Sequence, residues 1–425
     1  MLDRLRRCVQ APFAFTVASG GVRVSFDRQL HAMRTAPRTY TADIPAEPLE
    51  RYNPGGYHPV HIGDRFKDGR YSITHKLGWG SYSTVWLASD SKASRPVTLK
   101  ILTADHERHP REVGILKRIR ASLPGRGISD RTNHLCQLYD DFTITGPNGY
   151  HTCLVTEVGS ISAQLLAERY SSERLPGWLA WEISRQITQA VIDLHRQSIV
   201  HADLYPGNIL IASAEGQENL LESLPQPKRY DIHATKGHAL TAHLPKYVVE
   251  SVEIPLDTSR KSIVAKLVDF GQSFESSSPP SKINTPLVFR APELLFDSRW
   301  DHRIDDWSLA CTIFELVTGQ PMFNNILPDK EGLTREWIAM FGPLPPAWAA
   351  RASVTDSEGM DDFTPGEWLR ECYFENERRT DFAEEHIEWL GEMLEGMMRY
   401  EPGERIEAQD LPQCKWFERN WLLGC

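Results

Sequence analysis

Ile199-Val-His-Ala-Asp-Leu-Tyr-Pro-Gly-Asn-Ile-Leu210 is the stretch of this sequence that decides the fold. It places a carboxylate, Asp203, and an amide, Asn208, five positions apart between two apolar runs. A carboxylate in such a loop can accept a proton, and an amide oxygen is a suitable ligand for a hard cation such as Mg²⁺. The stretch therefore predicts a polar reaction centre on a loop between two buried segments.

Two further motifs extend this centre in both directions along the chain. Downstream, Leu267-Val-Asp-Phe-Gly271 supplies Asp269, a second hard oxygen ligand, on a turn after an apolar strand. Upstream, Val97-Thr-Leu-Lys100 is an apolar strand that ends in a lysine, and a lysine there can pair with phosphates if a carboxylate holds it. Glu112, in a segment of helical character, is the candidate carboxylate.

A glycine-containing turn precedes these motifs. The segment Lys76-Leu-Gly-Trp-Gly-Ser-Tyr-Ser-Thr-Val85 contains Gly78 and Gly80, and Ser83 stands at a third position where a glycine is common. Because glycine has no side chain, backbone N–H groups at such positions can approach phosphate oxygens closely. Two glycines in a hairpin are usually only a turn, so the order of all these motifs along the chain carries the interpretation.

Composition excludes several classes of protein. The formal net charge is −10, which argues against a general nucleic-acid binder, and apolar residues at 41% are typical of a globular chain. The seven cysteines include no CxxC pair, so we expect reduced intracellular thiols and not a disulfide framework or zinc site. The longest apolar stretch, 309–317, is interrupted by Glu315 and is too short to cross a bilayer. These features predict a soluble protein without a membrane partner.

The first 40 residues contain seven arginines and only two acidic residues. An arginine-rich, acid-poor leader is typical of a mitochondrial transit peptide, and a disordered basic tail is the alternative that we favour. The expected location is therefore cytoplasmic, nuclear or both, with mitochondrial import as the second option.

Hydrophobic periodicity changes along the chain from strand-like to helical. Short strands come first, and helices follow, one with apolar residues at helical spacing over 183–194 and one that is apolar nearly all round. This order describes an α+β chain of two lobes. The predicted strands are Tyr71–Leu77, Thr84–Ala88, Val97–Leu102 and His151–Glu157, and the predicted helices include 111–120 and Asp305–Thr318, the last ending at Gly319.

Taken together, the motifs resemble those of the protein kinase superfamily over about residues 65–420. Phe289-Arg-Ala-Pro-Glu293 resembles the end of an activation segment, and Asp305-Asp-Trp-Ser308 resembles the start of the central helix. The resemblance implies a bilobal α+β fold and an ion pair between Glu293 and Arg405. The implied domains are an N-terminal extension (1–56) and a kinase domain (57–420), with an N-lobe of about 65–158, a C-lobe of about 159–420 and an insert of about 212–262.

The resemblance also assigns roles to residues of this sequence. Asp203 would be the catalytic base, Lys100 and Glu112 would form an ion pair of the catalytic machinery, and ATP and Mg²⁺ would be the cofactors. Asn208 and Asp269 would hold the metal. The implied nucleotide-binding residues, with Thr156 as gatekeeper, are Leu77, Gly78, Gly80, Ser83, Val85, Lys100, Thr156, Glu157, Val158 and Leu210.

Within that superfamily the sequence is most similar to SR-protein kinases (SRPK), especially those of fungi. The similarity is carried by Tyr57-His-Pro-Val-His-Ile-Gly-Asp64, by Gly80-Ser-Tyr-Ser-Thr-Val-Trp-Leu87 and by the insert. It implies a monomeric serine/threonine kinase that acts on protein substrates rich in Arg and Ser and does not bind nucleic acid directly. The acidic segment 351–390, with twelve acids and four bases, could attract such basic substrates, although charge runs are usually solvated surfaces.

Two departures from the family pattern leave alternatives open. Ala202 stands where an arginine usually precedes the catalytic Asp, so we expect activity without activation-loop phosphorylation, and replacing Ser273, Ser276 and Thr285 by Ala should leave turnover largely intact. Tyr205 stands where a lysine usually steadies the transferring phosphoryl group, and losing one such group typically costs ~10²–10³ in rate. An ATP-binding pseudokinase scaffold is therefore the main alternative, ahead of a small-molecule phosphotransferase.

Overall fold

The computed structural model describes residues 39–105, 109–122, 133–170, 174–213, 219–235, 237–256, 258, 263–296, 299–323, 329–357, 360–374 and 381–418. The basic leader discussed above lies outside these residues, apart from its last two positions.

The longest strands precede the two longest helices, as the periodicity predicts. In chain order the strands are β1 Tyr40–Thr41, β2 Arg65–Phe66, β3 Tyr71–Gly80, β4 Ser83–Asp90, β5 Arg95–Leu102, β6 Leu138–Gly146, β7 Gly149–Thr156, β8 Ile161–Ser162, β9 Ile199–Val200, β10 Ile209–Ser213, β11 Arg229–Tyr230, β12 His233–Ala234, β13 Val248–Val249, β14 Ile263–Leu267 and β15 Phe274–Glu275.

The helices lie mainly in the second half of the chain. They are α1 His109–Ser122, α2 Ala163–Glu168, α3 Gly177–His195, α4 Leu220–Ser223, α5 Glu293–Phe296, α6 Arg303–Thr318, α7 Lys330–Phe341, α8 Pro346–Ala349, α9 Pro365–Phe374 and α10 Glu384–Met397. Within the described ranges, every helix is too short or too polar to span a membrane.

The first lobe is built on a six-stranded sheet with strand order β2-β3-β4-β5-β7-β6, in which neighbouring strands are antiparallel. On β5 the side chains of Val97, Leu99 and Ile101 alternate inward and are completely or almost completely buried. The sequence analysis did not predict β6. It is an edge strand with mostly half-exposed residues, and it therefore lacks the alternation of apolar and polar residues that indicates a strand.

The second lobe is organised around α3 and α6. The apolar residues of α3, including Ile183, Ile187 and Val191, are buried, which confirms the helical period. Helix α6 is buried nearly all round and ends where Gly319 adopts a φ of 81°, with its N–H bonded to Glu315 O at 2.8 Å. These two lobes confirm the bilobal α+β kinase fold.

The predicted insert is more ordered than a simple loop. Strand β11 pairs with β13 inside the insert, and β12 pairs with β1 of the N-terminal extension. Buried insert residues Ile232, Leu244 and Val248 pack with Leu49 and Tyr52 of the extension. The extension and the insert thus share a small apolar core beside the first lobe, while the 56/57 domain boundary stays a prediction.

Candidate active site

Lys100 lies at the centre of an ion-pair cluster. Its ammonium nitrogen Nζ is 2.7 Å from Glu112 Oε1 and 3.0 Å from Asp269 Oδ1. Burial alone would lower the pKa of Lys100, but the Asp269 and Glu112 carboxylates raise it above its usual range. Lys100 is therefore a fixed positive charge, held as the sequence predicts by the carboxylate of Glu112 on α1.

Asp203 and Asn208 form a second, adjoining cluster. The Asn208 amide nitrogen donates to Asp203 Oδ2 at 3.0 Å and to the Asp203 carbonyl at 2.8 Å. Strand β10 pairs with β14, and the Val268 N–H donates to Asn208 O at 3.0 Å. Together these bonds place Asp269, the residue after Val268, beside this loop. Burial and the neighbouring Asp269 carboxylate raise the pKa of Asp203 to about 8.

Residues 201–208, which the family resemblance implies are the catalytic loop, have a backbone that is held at four points by buried side chains. Asp305 Oδ2 and Oδ1 accept the N–H groups of His201 and Ala202 at 2.7 and 2.8 Å. From the other side, the Ser273 hydroxyl donates to His201 O at 3.0 Å and the Thr285 hydroxyl to Ala202 O at 2.6 Å. Ala202 has a φ of 64°, a strained conformation for a residue with a Cβ, and these bonds stabilise it.

The activation segment that the resemblance implies runs from Asp269 to Glu293, and its start is also fixed to the body of the protein. Strand β15 pairs with β9, and the Phe270 ring contacts the His201 ring edge-on at 5.2 Å. Arg118 on α1 pairs with Glu275 at 2.9 Å. The Arg118–Glu275 ion pair thereby links helix α1, which carries Glu112, to the activation segment.

Tyr205 packs its ring against the lobe. The ring centroid lies 5.7 Å from that of Phe289. Burial, followed by the carboxylates of Asp203 and Asp269, raises the pKa of the Tyr205 phenol above its usual range, so the group stays neutral. The structure therefore places a neutral hydroxyl-bearing side chain, and no cation, at this position of the catalytic loop.

The glycine-containing turn joins β3 and β4. Gly78 pairs with Val85 and Gly80 pairs with Ser83, which is buried. A Cβ built on Gly78 or Gly80 would meet no atom within 4 Å. Open space beside both glycines leaves room for a ligand to approach their backbone.

Glu157, Val158 and Gly159, which the family resemblance implies are the hinge between the lobes, follow β7, and Glu157 makes an ion pair that sequence reasoning missed. Thr156 ends β7, and Glu157 Oε2 lies 3.2 Å from Lys266 Nζ. Leu210 packs against the backbone of Gly159, where a Cβ would lie 2.7 Å from its methyl carbon. Lys266 is 109 positions from Glu157, and no local pattern signals that contact.

Apolar residues of the insert also reach the hinge. Val158 is buried in a cluster with Leu87 and the insert residues Leu220, Leu224 and Ile254, and Leu77 packs at the edge of this cluster. The insert therefore contributes to the walls around Leu77 and Val158, a role that its polar composition did not indicate.

Glu293 and Arg405 form the ion pair that the sequence predicts. Two guanidinium nitrogens of Arg405 donate to the two carboxylate oxygens, each at 2.7 Å, and both side chains are at most 2% exposed. Arg405 also donates to the carbonyls of Arg303 and Arg399, both at 2.9 Å. The pair ties the end of the activation segment to the C-terminal part of the lobe.

Comparison with known proteins agrees with this geometry. The family described as "Protein kinase domain" matches residues 71–222 and 253–417, more than half of the chain. The chain is 29% identical to "Serine/threonine-protein kinase SRPK" of Physarum polycephalum, covering 87% of this chain and 90% of that protein. It is 26% identical to "Protein kinase dsk1" of Schizosaccharomyces pombe, covering 87% and 84%. "SRSF protein kinase 3" of Homo sapiens is 39% identical over 44% of this chain and 35% of its own length.

Proposed function

The chain belongs to the protein kinase domain family and is a serine/threonine protein kinase, and we propose that it transfers the γ-phosphate of ATP to proteins rich in Arg and Ser. One observation carries the proposal. Lys100, paired with Glu112 at 2.7 Å, and the Asp203–Asn208 pair at 3.0 Å both adjoin Asp269, so a cation, two oxygen ligands and a proton acceptor share one site.

The residues present fit ATP and Mg²⁺. The amide nitrogen of Asn208 is bonded to Asp203, so its amide oxygen is the atom left for a cation, and Asp269 adds a carboxylate. The open space beside Gly78 and Gly80 suits close approach of phosphate oxygens to the backbone. When bound, Mg²⁺ would neutralise charge on the phosphate oxygens.

The chain's own groups then have distinct tasks. Lys100 orients the phosphates, and Asp203 aligns the substrate hydroxyl and accepts its proton at a carboxylate oxygen. The strained loop at Ala202 is kept in place by Asp305, Ser273 and Thr285, so Asp203 needs no rearrangement before reaction.

Surface charge supports a basic substrate. Every acidic residue of the segment 351–390 that the structure describes is exposed, namely Asp356, Asp361, Asp362, Glu367, Glu371, Asp381, Glu384, Glu385 and Glu388. Some of them pair with arginine, such as Glu384 with Arg370 at 3.1 Å. The excess negative charge would attract an Arg-rich peptide and raise its rate of encounter.

We expect the wild-type protein to phosphorylate an Arg–Ser repeat peptide with a kcat/KM at least about tenfold above that for an acidic Ser peptide of equal length. The measurement is transfer of radiolabel from ATP at two salt concentrations. Replacing Asp361, Glu371 and Glu388 by the corresponding amides should raise KM for the Arg–Ser peptide and reduce its salt dependence, because surface charges act through a screened field. Equal rates with both peptides would contradict the substrate proposal.

The variants Tyr205→Lys and Tyr205→Phe separate kinase from pseudokinase. Lysine should raise kcat by up to about 10², since it restores one charged group at the transferring phosphoryl. Phenylalanine keeps the ring beside Phe289 and controls for packing. If wild type binds ATP without turnover and only Tyr205→Lys transfers label, the pseudokinase alternative is correct. The small-molecule alternative stays disfavoured by the sequence 291–293, which ends in Glu293, a motif of peptide-substrate kinases.

The structure also revises the expectation about the activation segment. The sequence predicts that Ser273, Ser276 and Thr285 are replaceable, but Ser273 and Thr285 are buried and donate to the carbonyls of His201 and Ala202. They are therefore structural groups and poor targets for phosphorylation. The hydroxyls that are exposed in this segment belong to Ser277, Ser278 and Ser281.

Replacing those three exposed serines by Ala should leave kcat/KM within about twofold of wild type, as expected for surface substitutions. Thr285→Ala should lower kcat about tenfold, because one buried hydrogen bond to the strained Ala202 carbonyl is lost, and Thr285→Ser should restore it. Steady-state assays of the untreated proteins measure both effects, with phosphatase-treated wild type assayed in parallel. A collapse of activity in the triple Ala variant would show that a phosphate on this segment is required.

A further inference from the structure

The tip of the glycine-containing turn, residues 80–82, is bonded to residues that precede the first lobe as well as to the lobe itself. The Tyr57 hydroxyl donates to Gly80 O at 2.8 Å, and a guanidinium nitrogen of Arg51 donates to Ser81 O. The Thr103 N–H donates to Tyr82 O at 2.9 Å. All three carbonyls of the tip are therefore bonded, two of them to side chains, Tyr57 and Arg51, that precede the first lobe in the chain.

The two donors are themselves rigidly placed. Tyr57 is 1% exposed, and its carbonyl accepts a hydrogen bond from the Asn148 amide at 2.6 Å. Gly56 is bonded through its carbonyl to the Ala104 N–H at 3.0 Å. A Cβ on Gly56 would lie 1.7 Å from Arg51 O, so only glycine fits the turn that places Arg51 beside Tyr57.

A buried ion pair secures the extension to the same strand. The Lys76 ammonium bonds to Glu47, whose other carboxylate oxygen accepts the Tyr52 hydroxyl, and both charged side chains are at most 2% exposed. The Lys76 carbonyl in turn accepts the N–H of insert residue Val252 at 2.8 Å. The extension and the insert thus meet at Lys76, two positions before Gly78.

We propose that Arg51 and Tyr57 are positioning residues for the glycine-containing turn. They hold it in the conformation that binds phosphates before the nucleotide arrives. The peptide group is planar and trans, so a bond to the carbonyl of Gly80 or Ser81 also fixes the following N–H, which points away from that bond. A turn fixed in this way loses less conformational freedom when phosphates bind. The inference rests on ATP binding at the site described above.

The test compares nucleotides that differ only in phosphate. In calorimetric titrations, Tyr57→Phe and Arg51→Met should each weaken binding of ADP and of a non-hydrolysable ATP analogue about three- to tenfold, the effect of one hydrogen bond. Adenosine, which has no phosphate for the turn to contact, should bind with unchanged affinity. KM for ATP should rise by the same factor as the dissociation constant.

Matched controls are Tyr150→Phe and Arg65→Met, because Tyr150 is 59% exposed and Arg65 is an exposed residue of the same sheet. Neither should change any nucleotide affinity. Unchanged ADP affinity in both the Tyr57 and the Arg51 variant would overturn the proposal. An equal loss of adenosine and ADP affinity would overturn it too, because it indicates a general folding defect. If wild type itself binds none of these nucleotides, the proposed ATP binding is refuted instead.

Discussion

Asp203→Asn is expected to lower phosphotransfer by about 10²–10⁴-fold, the usual contribution of a positioned proton acceptor. Asparagine has the same shape and can still accept the hydrogen bond that the Asn208 amide makes at 3.0 Å, so the loop should keep its conformation. It cannot accept the proton of the substrate hydroxyl. Single-turnover transfer of label from ATP to an Arg–Ser peptide measures the loss.

ATP affinity should stay within about twofold of wild type in this variant, because Asp203 acts on the hydroxyl of the substrate and not on the adenosine moiety. The exposed residue Asp410 supplies a matched control, and Asp410→Asn should leave transfer unchanged. Retention of most of the activity by Asp203→Asn would show that this carboxylate is not the proton acceptor.

Glu293→Ala is expected to destabilise the protein by about 3–5 kcal/mol, because it leaves the Arg405 guanidinium buried without its counter-charge. Replacing both residues together, Glu293→Leu with Arg405→Met, should recover much of that loss, since no unpaired charge remains. Urea unfolding monitored by fluorescence gives the free energies. Glu293→Leu alone keeps the side-chain volume but leaves the Arg405 charge unpaired, so its comparison with the double variant distinguishes charge burial from loss of packing volume.

Arg370 and Glu384, 3.1 Å apart, form an exposed ion pair of the same two residue types as the buried Arg405–Glu293 pair and serve as its control. The side chains of this pair are 57% and 66% exposed, and Glu384→Ala should change the free energy of unfolding by less than about 1 kcal/mol. Similar losses for Glu293→Ala and Glu384→Ala would contradict the interpretation that burial makes the first pair important.

Sequence reasoning predicted the parts of this fold whose signals are local. The period of α3, the all-round apolar helix α6 and its end at Gly319 follow from short-range patterns, and the structure shows all three. The residues brought together at Lys100 were predicted as well, because each belongs to a motif with fixed internal spacing. Their roles in binding and catalysis are proposals that the variants above address.

Other features depend on contacts between distant segments and have no local pattern. The buried bond between Lys76 and Glu47 joins positions 29 apart, and no pattern around either residue indicates it. The polar composition of the insert predicted a loop, yet a few apolar side chains such as Ile254 were enough to attach it to the hinge. In the same way the sequence predicts that Thr285 is replaceable by Ala, whereas its buried hydroxyl donates to the Ala202 carbonyl and stabilises the loop there.

The pairing of β1 with β12 and the burial of Glu47 beside Lys76 set limits on how this protein can be shortened for expression. A recombinant chain trimmed to begin at Tyr71 would lack the carboxylate that neutralises Lys76 and would uncover the apolar side of the insert. Such a fragment would carry an unpaired charge on its first strand and exposed hydrophobic residues on its insert, a combination that favours aggregation. Recombinant material should therefore start upstream of Tyr40.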